Sequence, residues 1–116
     1  MGQIEEHYDR GIEFKLNGMY DEAQAEFQKI LDIEPENTKA HHQLGLVYGF
    51  TGMFDESIDE LKHALELDQN NLKIRGDLGL TYSMLGMFDE AKLEFETILA
   101  IDPYDECACK NIIYFR

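Results

Sequence analysis

Apolar residues recur along this chain at helical rather than alternating spacing, and short breaks bearing glycine, proline or asparagine separate the stretches. Residues 4–17 carry Ile4, Tyr8, Gly11, Ile12, Phe14 and Leu16 and read as a first helix. A second runs from about Asp21 to Ile33, with Ala23, Phe27, Ile30 and Leu31 on one face. Pro35-Glu36-Asn37 breaks it, and Asn37 is placed to cap the next helix. The next pair carries Ala40, Leu44, Gly45, Val47 and Tyr48, then Ile58, Leu61, Ala64, Leu65 and Leu67. A third pair carries Leu78, Gly79, Tyr82 and Leu85, then Ala91, Phe95, Ile98, Leu99 and Ile101. Glu106 to Arg116 begins a seventh helix in the phase of another first helix.

The pairs are copies of one another. Gly18-Met19-Tyr20, Gly52-Met53-Phe54 and Gly86-Met87-Phe88 are each followed by Asp-Glu and a small residue, at a constant interval of 34 residues. A fixed period of this size predicts a stacked repeat. The glycines supply the backbone freedom that ends one helix and turns the chain into the next. Asp21, Asp55 and Asp89 fall where the second helix of each pair begins. There they are expected to take up free N–H groups and to complement the helix dipole. Gly11, Gly45 and Gly79 lie mid-helix, where glycine costs about 1 kcal/mol against alanine. Close approach of the facing helix at Ala23, Ser57 or Ala91 is the expected compensation. No single pair covers its own apolar face, so neighbours have to stack.

These residues resemble the tetratricopeptide repeat family, which places an aromatic, then Leu-Gly, then Tyr in a first helix, Ala and Phe in a second, and Pro at the end. The chain shows Leu44-Gly45 and Tyr48 in one unit, and Leu78-Gly79, Tyr82, Ala91, Phe95 and Pro103 in the next. The first unit shows Gly11, Phe14, Ala23, Phe27 and Pro35. His7, His41 and Arg75 stand where the family has Trp, and Gln69 replaces one Pro. The resemblance covers nearly the whole chain. It implies an all-α, right-handed solenoid: a single domain of three helix pairs (about 4–37, 38–71 and 72–105) plus a C-terminal helix, 106–116.

Charge separates by helix. The formal net charge is −14. Second-helix segments with their trailing turns hold eighteen acids and three bases, whereas first-helix segments hold six acids and seven bases. Such a balance argues against nucleic acid or an anionic membrane as partner. No apolar run approaches the roughly 20 residues of a membrane span, and nothing N-terminal reads as a signal peptide. Cys107 and Cys109, one residue apart, make no disulfide framework, so a cytoplasmic location is expected.

The family resemblance implies that first helices line a concave inner surface while second helices form an acidic outer coat. Phase then selects the groove: Tyr8, His42 and Lys110 in one row, and Ile12, Leu46, Leu80 and Tyr114 one turn on. Lys15, Lys39 and Lys73 add charge, and Phe50 and Met84 add apolar surface near the helix ends. This is an apolar floor with lysines along it, suited to a partner peptide or helix with apolar anchors and a carboxylate. The alternative is that Ile12, Leu46 and Leu80 only pack between helices.

Some relatives grip acidic chaperone tails through a clamp whose positions here are Tyr8, Ile12, Gln43, Lys73 and Asp77. Only Lys73 fits, so that mode is not expected. Met19, Met53 and Met87 form either an adhesive edge or covers for their own turns. His7, His41, His42 and His63 are expected to replace aromatics rather than to bind metal, and no cofactor is expected. The paired carboxylates are explained by helix starts, so catalysis is not expected. Ile112-Ile113-Tyr114-Phe115 is four apolar residues in a row. A longer natural chain or a homo-oligomer through this helix are both open readings, and a self-assembling scaffold or an adaptor segment of a larger protein are the alternatives to a binding module.

Overall fold

The computed structural model describes residues 2–115. They form seven α-helices and no strand: α1 Gln3–Leu16, α2 Tyr20–Ile33, α3 Thr38–Phe50, α4 Phe54–Leu67, α5 Leu72–Met84, α6 Phe88–Ile101 and α7 Glu106–Ile112. A 3₁₀ turn, Ile113–Phe115, follows α7, so the final apolar run does not continue the α-helix as expected. Arg116, assigned to the same helix from the sequence, lies outside the described residues. Each helix packs on the next, α1 on α2, α3 on α4 and α5 on α6, while α2–α3 and α4–α5 join the units. The result is an all-α helical-repeat solenoid, 46 × 26 × 20 Å.

Each pair is closed by the same turn. Gly18, Gly52 and Gly86 adopt φ of 75°, 81° and 76°, the left-handed conformation that side-chain-bearing residues avoid. In the first turn the Met19 N–H donates to the Phe14 carbonyl at 2.8 Å and the Gly18 N–H to Lys15 at 3.1 Å. This is the double bond of a glycine-terminated helix end, and it satisfies two carbonyls that α1 leaves free. The turns between units are different. Asn37 and Asn71 accept from the Ala40 and Ile74 N–H groups at 2.8 and 3.0 Å, and Asp105 accepts from Ala108 at 2.9 Å. The sequence also predicts caps at Asp21, Asp55 and Asp89, and the structure corrects this. The capping positions of α2, α4 and α6 are Met19, Met53 and Met87, and no side chain caps them. The aspartates lie two residues further in and act only through the helix dipole.

Two apolar clusters hold the solenoid. One joins Ala23, Phe27, Ile30, Ala40, Leu44 and Val47. The other joins Leu61, Ala64, Ile74, Leu78, Tyr82, Phe95, Ile98 and Ile112. The mid-helix glycines admit the largest of these side chains. A Cβ at Gly11 would lie 2.5 Å from the Phe27 ring, one at Gly45 2.8 Å from Leu61, and one at Gly79 2.9 Å from Phe95. Close approach is therefore the reason for these glycines, but its main partner is the bulky residue one turn beyond Ala23, Ser57 and Ala91. Ser57 has a further part, its hydroxyl donating to the Gly45 carbonyl at 2.7 Å. Leu16, grouped with the core by its spacing, stands 77% exposed at the end of α1. The 3₁₀ turn tucks Phe115 against Phe95 and Phe88 at ring distances of 6.0 and 6.2 Å, which leaves Ile113 and Tyr114 outside.

Candidate functional site

Side chains of α1, α3 and α5 reach one another across successive units. Lys15 donates to the Gln43 side-chain oxygen at 2.6 Å, and Gln43 donates to the Tyr8 hydroxyl at 3.5 Å. His42 bonds the Asp77 carboxylate through Nε2 at 2.7 Å. The Lys39 ammonium stands 5.8 Å from the centre of the Tyr8 ring, within range of a cation–π attraction. These contacts join the three first helices into one face. Its N-terminal end opens into a cavity of about 720 Å³ whose walls include Ile4, Tyr8, Ile33 and Lys39.

The apolar row opens progressively along this face. Ile12 and Leu46 are half-buried, Leu80 is 37% exposed and Tyr114 is 78% exposed. Phe50 and Met84, the last residues of α3 and α5, are exposed, and Phe50 stacks on Tyr20 at 5.6 Å. The structure therefore links Tyr8, Lys15 and Lys39 through Gln43 and the Tyr8 ring, pairs His42 separately with Asp77, and packs Ile12 against the N-terminal apolar cluster, while Phe50 and Met84 stand at the border with the inter-helix turns.

The lysines are less free than their phase implies. Lys73 lies 3.9 Å from Asp77 on its own helix, and Lys110 lies 2.9 Å from Glu106. Burial pushes the Lys15 ammonium below the ordinary lysine range; Asp77 counters this and Lys73 adds to it. Among the described residues Lys39 has no ion-pair partner. Gln43 and Asp77 emerge as central to this face, yet the family resemblance marked them only as clamp positions. The available signal was register, because His42 and Asp77 are one unit and one residue apart.

Away from this face, each unit carries one polar bridge at the position where the family has Trp. His7 meets Glu26 at 3.2 Å, His41 meets Glu60 at 2.6 Å, and Arg75 meets Glu94 at 2.8 Å. Arg10 and Lys29 also approach Glu26, at 3.0 and 3.2 Å. Burial pushes the Glu26 carboxyl up, but the hydrogen bonds from Lys29 and His7 and the charges of Lys29 and Arg10 together outweigh it. The net direction is below the ordinary glutamate range. His41 also bonds the Pro35 carbonyl at 2.7 Å and stacks on His63 at 4.1 Å. The histidines thus face carboxylates: His7 and His41 within their units, His42 across to α5, and His63 back to Glu36 of the preceding turn at 4.0 Å. Among the described residues no three His, Cys, Asp or Glu side chains gather as metal ligands. Cys107 and Cys109 are free thiols, half-buried and exposed. Burial foremost, with the Asp105 and Asp77 charges, raises Cys107 above the ordinary thiol range. No helix among the described residues is long and apolar enough to cross a membrane.

Two family models described as tetratricopeptide repeat match residues 7–37 and 51–107. No curated protein gives a significant match. Solved structures do. The first tetratricopeptide domain of Spaghetti (RPAP3), bound to an HSP90 peptide, superposes with a TM-score of 0.90 at 21% identity, covering 97% of this chain and 89% of that one. The second such domain of human RPAP3, in complex with an HSP70 peptide, gives 0.88 at 24% identity, covering 97% and 93%. The Arabidopsis OM64 domain gives 0.91 at 16% identity, covering 100% and 96%. At these identities the likeness is one of fold.

Proposed function

This chain belongs to the tetratricopeptide repeat family, and from that premise we propose that the face built by α1, α3 and α5 is a groove that holds a segment of a partner protein. The chain is a protein–protein interaction module, and on this reading it acts without catalysis. One observation carries the groove assignment: an apolar row, half-buried at Ile12 and Leu46 and open at Leu80 and Tyr114, runs between polar side chains that bridge successive units. Apolar anchors of the partner would bury Leu46 and Leu80, at roughly 25 cal/mol per Å². Lys39 would meet a partner carboxylate or carbonyl beside the Tyr8 ring. The free thiols of Cys107 and Cys109 suit a reducing cytoplasm.

Two structural neighbours hold acidic chaperone peptides. We read this face differently. Asp77 brings a carboxylate within 3.9 Å of Lys73, and the Gln43 side chain is held between Lys15 and Tyr8, so an incoming carboxylate at the centre meets the charge of Asp77. The partner segment is therefore apolar at the groove centre, with its negative group towards Lys39.

The test is peptide display selection on the full chain, with selected peptides re-measured on Leu80→Ser and Lys39→Glu, both exposed on this face, and on Leu93→Ser, exposed on α6. At least tenfold weaker binding in the first two, with Leu93→Ser unchanged, is the expected result. Equal binding to all three would remove the groove from the reading.

A further inference from the structure

The exposed apolar side chains are not spread evenly. Leu16, Phe50 and Met84 occupy one repeat position at the ends of α1, α3 and α5, and are 77%, 59% and 65% exposed. Three residues on, Met19 and Met53 are both 41% exposed; in the third turn the equivalent Met87 is half-buried, and Phe88 beside it, at the start of α6, is 58% exposed. The Tyr20–Phe50 stack joins the first turn to the second unit, and the repeat places the third turn next along the same edge, as a ridge. The ridge runs into a cavity of about 470 Å³ lined by Ser83, Phe88, Asn111, Tyr114 and Phe115. An apolar strip repeated in register at three turns is more than the scatter of single exposed hydrophobics on ordinary surfaces.

The flank of the ridge is acidic. Asp21-Glu22, Asp55-Glu56 and Asp89-Glu90 follow the ridge residues directly in the chain and are all exposed. None of the six joins an ion pair among the described residues. A second copy of this chain is a poor occupant, because edge-to-edge pairing would bring two such acidic flanks together. A segment with one apolar face and lysine or arginine beside it satisfies both features at once.

We propose that this turn edge docks the apolar face of a basic amphipathic helix from another protein. Apolar residues spaced along one face of the partner helix would step from one turn to the next, and basic residues on either side would reach the carboxylate pairs. This surface is separate from the groove reading. Phe50 and Met84 border both surfaces, so its test uses residues of the edge alone.

The probe is a fluorescein-labelled 18-residue helical peptide of leucine and lysine with its leucines on one face. Its control has the same composition with leucines distributed all round. Fluorescence anisotropy with the full chain should give binding to the amphipathic peptide at least tenfold tighter than to the control. Leu16→Gln, Met53→Gln and Phe88→Gln combined should weaken it at least tenfold. So should Asp55→Asn, Glu56→Gln, Asp89→Asn and Glu90→Gln combined, a set that leaves the apolar ridge intact and guards against misfolding of the first. Equal binding of the two peptides would mean charge attraction alone and would overturn the proposal. Unchanged binding in either variant set would overturn it as well.

Discussion

Replacing Gly11 by alanine should destabilise the protein, while the same change at Gly49 should stabilise it. The two sites differ in what a methyl group meets. At Gly11 the new Cβ would stand 2.5, 2.7 and 3.0 Å from three carbons of the Phe27 ring. That ring is fully buried between α1 and α2 and lies edge-on to Tyr8 at 6.0 Å, so it has nowhere to yield. Overpacking of this severity costs about 3 kcal/mol, and the better helix propensity of alanine returns about 1 kcal/mol. The net loss is about 2 kcal/mol. For a chain of this size that is a fall of about 8 °C in Tm. At Gly49 the methyl would meet only the Ser57 hydroxyl at 3.4 Å, an ordinary contact. Propensity then dominates, with a gain of about 0.5 kcal/mol in the last turn of α3.

Thermal and urea unfolding followed by circular dichroism at 222 nm measures both. Because Phe27 belongs to the N-terminal apolar cluster, hydrogen exchange in Gly11→Ala should also rise first in α1 and α2. An increase in Tm for Gly11→Ala matching that of Gly49→Ala would refute the reasoning. It would mean that the family glycine is tolerated, not required, and that the helices of the first pair can part without loss.

Arg75→Ala should cost about 2–3 kcal/mol by leaving Glu94 mostly buried without its partner, whereas Arg75→His, the residue of the other two units, should keep most of that stability; chemical denaturation compares them. Glu26 is held below its ordinary pKa, so its stabilisation is complete above the unfolded glutamate value and fades as pH falls through the depressed folded value. Glu26→Gln should therefore be less stable at pH 7 and show a shallower loss of Tm between about pH 5 and pH 2; parallel curves for the two proteins would exclude the carboxylate as the titrating group. Asn71→Ala should remove the cap of α5 and cost about 1 kcal/mol, and a change within error in urea unfolding would show that the Ile74 N–H finds another acceptor.

Periodicity reveals what repeats, and the fold is what repeats. The turn glycines, the Asn37 cap and the face of α2 that buries Ala23, Phe27, Ile30 and Leu31 all lay open in the spacing. Less legible were features that depend on a neighbour in space. Glu26 reads as one more acid of a solvated helix, and only three converging bases explain why it is buried. The aspartates after each turn carry the composition of caps, but the turn's own backbone bonds carry the chain past the capping position before they occur. The C-terminal run reads as a uniform apolar stretch. A change to 3₁₀ geometry after Ile112, itself buried at the end of α7, splits the rest into a packed phenylalanine and two exposed residues.

The same contrast locates function within the array. A position filled alike in every unit, such as Gly18, Gly52 and Gly86, gives each unit the same property and cannot distinguish one end of a bound segment from the other. Direction has to come from positions where the units disagree, and these concentrate on the first helices. Glu5, Lys39 and Lys73 share one register; Tyr8, His42 and Gly76 share another; Asp9, Gln43 and Asp77 share a third. The structure engages several of these unlike residues with each other, through Lys15–Gln43, His42–Asp77 and Lys39–Tyr8. A partner entering this face therefore meets an ordered polar pattern rather than a uniform strip. Exchanging Gln43 and Asp77 would keep the composition while moving the carboxylate beside Lys15. A groove ligand should then change in affinity at least tenfold, whereas one held by apolar contact alone should not respond.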